Sequence, residues 1–143
     1  MKTGWYNVDS EYFVVKPLHN GKRQSLIMGA CHMASNRWNI MMGVFPSNAT
    51  YNSMYNSAVW CTPTSTNKNP TTETLSLALE ALSEIEQEIH NRVNGKRAFI
   101  YVDGLDERRL RIYTKLLTQK CGYKKSTAKS NYVDGMSKIY KRI

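Results

Sequence analysis

Apolar positions in the first third of the chain fall in short runs bounded by turn residues, the spacing of strands rather than helices. Residues 12–16 (YFVVK) are rich in β-formers and stop at Pro17. Residues 18–22 (LHNGK) carry an Asn-Gly pair, which predicts a hairpin turn. Residues 25–33 (SLIMGACHM) and 37–45 (RWNIMMGVF) read as the next two strands, joined by Ala34, Ser35 and Asn36 into an antiparallel hairpin. Residues 47–56 (SNATYNSMYN) are polar and studded with tyrosine, a loop with the character of a contact surface or a lid, and residues 57–62 (SAVWCT) read as a fourth strand.

The period then changes from two to 3.6. After a loop rich in Pro, Ser, Thr and Asn, a helix is predicted over residues 70–93, with Asn69 as cap, Pro70 at the first helical position and Glu73 in the first turn. Leu75, Ala78, Leu82, Ile85, Ile89 and Val93 form its apolar stripe, and Glu80, Glu84 and Glu88 an acidic one. Asn94-Gly95 supplies the stop. Residues 97–102 (RAFIYV) read as a buried strand, and Asp103-Gly104 turns the chain into a second helix over 106–120. On that helix Leu110, Tyr113 and Leu117 face the core, with Ile112 and Leu116 widening the stripe. Arg108, Arg111 and Lys115 line another face and mark a candidate anion-binding surface. Gly122 ends the helix, and residues 123–127 and 138–143 read as two closing strands around a polar turn. The order β-β-β-β-α-β-α-β-β predicts one α+β domain over residues 1–143, a central mostly antiparallel mixed sheet with two main helices.

Composition narrows the class. Hydrophobic residues make up 41% and charged residues 22%, ordinary for a soluble globular chain. No apolar run is long enough to span a bilayer, and residues 1–12 have no apolar core of a secretory signal, so a cytoplasmic protein is expected, in the host cell if phage-encoded. Cys31, Cys61 and Cys121 are widely spaced, with no CxxC, and are expected as reduced thiols. His19, His32 and His90 make no ligand pattern, so no metal site is expected. The net charge is +9, and all of the excess lies in residues 96–143: thirteen Lys/Arg against four Asp/Glu, whereas residues 1–95 have seven of each. That asymmetry points to an anionic or protein partner.

From residue 57 onward the element order, together with Leu117-Thr-Gln-Lys-Cys-Gly-Tyr123 and the preceding FIYVDGLDERRLRIY, resembles the C-terminal half of the GNAT N-acetyltransferases, and small phage proteins of acetyltransferase type look similar. The resemblance implies acetyl-CoA as cofactor, held between strands near Trp60 and residues 97–102. It places the pyrophosphate on the segment 61–74, where Thr64, Ser65, Thr66, Thr71 and Thr72 offer hydroxyls and a helix N-terminus its positive end. Three departures stand beside it. That segment has no glycine, Thr118 occupies the position of the family's general-acid tyrosine, and residues 16–25 leave room for a turn where the family has two helices. Catalytic candidates are Tyr113 as acid and Glu73 or Asp103 as base.

Three functions follow as expectations. The first is a GNAT-like module that binds or inhibits a host or virion partner without chemistry. The second is an active N-acyltransferase moving an acetyl group from acetyl-CoA to an amine. The third is a nucleic-acid-binding protein that uses the basic C-terminal third with Tyr101, Tyr113, Tyr123, Tyr132 and Tyr140.

Overall fold

The computed structural model describes residues 1–55 and 71–143. In chain order the elements are β1 (Gly4–Tyr6), β2 (Glu11–Pro17), β3 (Gln24–His32), β4 (Arg37–Pro46), α1 (Tyr51–Tyr55), α2 (Thr72–Val93), β5 (Phe99–Val102), α3 (Glu107–Lys120), β6 (Lys124–Lys129) and β7 (Ser137–Arg142). The fold is α+β, as the pattern predicts. Two elements lie outside that reading: β1, too short to show a period, and α1, which forms inside the predicted 47–56 loop. The predicted strand at 57–62 lies outside the described residues.

The strands form one mixed sheet of seven in the order β1-β2-β3-β4-β5-β7-β6. All neighbours are antiparallel except β4 and β5. The β2–β3 and β3–β4 hairpins sit where the Asn-Gly pair and the 34–36 link place them. β7 is inserted between β5 and β6, so β6 pairs with β7 alone.

Both long helices pack on one face. The α2 stripe, with Ala81, Leu82, Ile85 and Ile89 buried, meets Val14, Leu26, Met28, Trp38, Ile100 and Ile139 of the sheet and Leu117 of α3. The helix is capped by Thr71, whose hydroxyl accepts from the Thr74 backbone N–H at 3.1 Å, and the predicted cap Asn69 and first helical residue Pro70 lie outside the described residues. It ends at Asn94 in the left-handed conformation. α3 is capped by Asp106, whose carboxylate accepts from the Arg109 N–H at 2.8 Å, and closes at Gly122 (φ 78°) with the Tyr123 N–H bonded back to the Leu117 carbonyl. The acidic stripe of α2 runs beside the β1–β2 edge, with Glu80 and Glu84 still exposed. Glu84 lies 2.6 Å from the Lys16 ammonium, and Glu88 accepts from the Trp5 indole N–H.

The other face of the sheet has a smaller core of Phe13, Ile27, Phe45, Ala49 and Met54, covered by α1 and the N-terminal residues. No helix among the described residues is long and apolar enough to cross a membrane.

A candidate ligand cavity where two parallel strands part

β4 and β5 pair only through Arg37↔Phe99, Trp38↔Ile100 and Asn39↔Tyr101. Beyond Asn39, β4 continues to Pro46 along β3, while β5 ends at Val102 and the chain turns into α3. A parallel pair that diverges opens a gap in the sheet. The backbone of β4 keeps its ladder to β3 on one side and has none to β5 on the other.

A cavity of about 180 Å³ fills that gap. Ile40, Met41 and Met42 of β4 and Met28 of β3 form one wall, Leu75, Ala78, Leu79 and Leu82 of α2 the second, and Arg109, Tyr113, Leu116 and Leu117 of α3 the third. Alternate residues of a strand point to opposite faces, so Ile40 and Met42 stand on the helix side of β4 with Met41 between them in the same stretch of wall. Asp103 and Leu105 after β5, and Tyr132 from the β6–β7 turn, complete the rim.

Four polar side chains meet this apolar space. Arg109 is buried, and its Nε stands 3.5 Å from the Asp106 carboxylate. Tyr113 lies one turn further along the same stripe. Burial lifts its pKa and the Arg109 guanidinium works against that lift, leaving a net rise, so the phenol keeps its proton at neutral pH. Tyr132 is 57% exposed. The Asp103 carboxylate is a clamp: Oδ1 accepts from the Gly104 N–H and the Ser130 hydroxyl, and Oδ2 from the Asn131 N–H. It holds the β6–β7 turn against the end of β5.

The predicted site residues divide accordingly. Tyr113 and Asp103 come together at the cavity. Glu73 does not, its carboxylate accepting from the His19 N–H at 2.9 Å. Thr71 is the α2 cap and Thr72 the first residue of α2, both exposed, while Thr64, Ser65 and Thr66 lie outside the described residues. Thr118 turns its hydroxyl back to the Thr114 carbonyl of its own helix. Arg108, Arg111 and Lys115 are exposed on the outer face of α3, and Arg111 is paired with Glu107 at 2.6 Å. Sequence reasoning missed Arg109. The signal was its spacing: Arg109, Tyr113, Leu116 and Leu117 follow i, i+4, i+7, i+8, which puts the arginine on the apolar stripe.

A second polar cluster lies on the opposite face. Glu11 is 3% exposed. It accepts from the Tyr51 hydroxyl at 2.8 Å, with the Cys31 thiol at 3.6 Å and the Tyr55 hydroxyl 3.9 Å from that thiol. Burial first, then the Glu11 charge, pushes the Cys31 pKa up to about 12, so this thiol is not a nucleophile at neutral pH. Among the described residues no group of three or more His, Cys, Asp or Glu could hold a metal ion. Compared with protein-family models, with curated proteins and with solved structures, the chain matches none of them.

Proposed function

We propose that this chain is a GNAT-like domain that binds an acyl thioester of coenzyme A in the gap between β4 and β5 and acts by binding. One observation carries the reading: an apolar cavity opens where the parallel pair parts, with the first two turns of α2 forming its wall. An acyl-pantetheine arm is narrow and largely apolar, with amide groups spaced along it. Among the described residues no strand pairs with the side of β4 beyond Asn39, whose main-chain groups suit such amides, the way an added strand is held at a sheet edge. Leu75 and Ala78 bring the N-terminal end of α2 to the same cavity, where its dipole favours a phosphate.

Binding without turnover is favoured by how the acids are used. The Asp103 carboxylate accepts from three donors of its own chain and Glu73 is engaged by the β2–β3 turn. Acyl transfer to an amine is the second reading, favoured by Tyr113, a protonated phenol on the cavity wall.

Calorimetric titration with acetyl-CoA, coenzyme A and ATP tests the proposal. Micromolar binding of the first two without the third is the expected result, weakened at least tenfold by Ala78→Trp, which fills the cavity. No heat with acetyl-CoA at millimolar concentration overturns it. Release of free thiol from acetyl-CoA that depends on an added amine, and is lost in Tyr113→Phe, moves the conclusion to the second reading.

A further inference from the structure

The half of the sheet from β4 to β6 has one face packed under α2 and α3. On the other, α1 packs over the far part of β4, at Met41 and Phe45, and among the described residues no helix packs on Arg37–Asn39 of β4 or on β5, β7 and β6. Directly paired residues share a face, so the register reads out what this face presents. One row runs Cys31↔Asn39↔Tyr101↔Tyr140↔Lys124 across five strands, and a second runs Arg37↔Phe99↔Arg142 beside it. Lys138, two residues before Tyr140, falls on the same side.

The rings form a continuous ladder. Tyr101 and Tyr140 are stacked at 5.7 Å and 23°, Phe99 stands 6.2 Å from Tyr140, and the Arg37 guanidinium lies 4.2 Å over Tyr101. All three rings are half-buried. Around them stand four cations, Arg37, Lys124, Lys138 and Arg142, and β4 to β6 place no carboxylate on this face. Half-covered aromatics in a row, edged by cations on a pleated surface, suit a chain that has one flat π-face and one negative charge per repeat.

We propose that this sheet face binds single-stranded nucleic acid, with bases stacking on Tyr140 and on the outer side of the Arg37 guanidinium that lies over Tyr101, and phosphates meeting Lys124, Lys138 and Arg142. The surface shares only Met41's neighbourhood with the cavity, so it stands independently of the acyl-thioester reading. A duplex is excluded as the preferred ligand because its bases are already stacked and present no ring face.

Fluorescence anisotropy with labelled oligothymidylate and oligouridylate decides it, with a duplex of the same length and polyglutamate as comparisons. The single strands are expected to bind at low salt with a log–log salt slope of about −2, from three phosphate contacts. Tyr140→Ala is expected to weaken binding about tenfold without changing that slope, and Tyr140→Phe, which keeps the ring, to restore it. Lys124→Glu with Arg142→Glu should flatten the slope by more than one. No binding at low salt overturns the proposal. So does equal affinity for the duplex, tighter binding of polyglutamate, or a loss that follows Arg108→Glu with Lys115→Glu on α3 and spares the sheet variants. The Phe variant, folded by its melting curve, separates a lost stacking surface from a lost fold.

Discussion

Glu86 on α2 and Lys141 on β7 close to 2.8 Å across 55 residues of sequence. The other oxygen of the same carboxylate accepts from the Tyr123 phenol, also at 2.8 Å. Three elements, α2, the start of β6 and β7, are therefore tied at one acid that is only 18% exposed.

Glu86→Ala leaves a half-buried ammonium and a buried phenol without their acceptor. It is expected to cost about 2 kcal/mol, read as a fall in the urea midpoint with unchanged slope. Adding Lys141→Met should recover part of that loss, since it removes the stranded charge.

Gly104 is where α3 comes closest to the end of β5. A Cβ there would stand 2.6 Å from the Leu110 backbone nitrogen, and backbone cannot step aside as a flexible side chain can. Gly104→Ala should therefore destabilise by about 1–3 kcal/mol. It should also shift the cavity wall that Arg109 and Tyr113 share, seen as weaker acetyl-CoA binding in a variant that still folds.

Alkaline pH should loosen the fold through the Glu11 cluster. Burial and Glu11 raise the Cys31 thiol from 9.0 to about 12 and the Tyr51 phenol from 10.0 to about 12. Groups whose folded pKa exceeds the unfolded one add stability below the unfolded value and lose it as pH rises toward the folded one. The melting temperature should hold up to about pH 8.5 and then fall up to about pH 12. Cys31→Ala should make that fall shallower. A flat profile in this window removes the cluster from the account.

Val8 carries φ 52° between Asn7 and Asp9, both also left-handed, at the tip of the β1–β2 turn. Its side chain is 98% exposed and packs on nothing that offsets the conformation. A β-branched residue there is strained by about 1–2 kcal/mol. Val8→Asn should raise the melting temperature by a few degrees.

The long helices were legible because each rests on a local repeat. The stripes of α2 and α3 and the stops at Asn94 and Gly122 are written within a few turns of chain. The β2–β3 and β3–β4 hairpins were legible from their turn chemistry. β1 was not, because Gly-Trp-Tyr is too short to show alternation and forms only by pairing with β2. α1 was not, because Tyr-Asn-Ser-Met-Tyr has no helical pattern and is held by Met54 in the core and Tyr51 on Glu11. The cavity had no signature at all. Met28, Ile40, Met41 and Met42 read as ordinary strand residues, and only the early end of the β4–β5 ladder, a relation between segments 60 residues apart, turns them into a wall. Tyr113 was legible because it stands on the apolar stripe of its helix, whereas Arg109, a charged residue on that same stripe, was assigned to no face.

The insertion of β7 between β5 and β6 has a consequence for synthesis. Until Ser137–Arg142 has emerged from the ribosome, β5 offers an open edge of Phe-Ile-Tyr-Val, an apolar strand with no Pro or charge to guard it. β6 cannot seal that edge by itself, because its only neighbour in the sheet is the strand still to come. Until β7 docks, the chain holds that edge bare, so the speed with which Ser137–Arg142 closes onto β5 bears on how much of the protein reaches the native state.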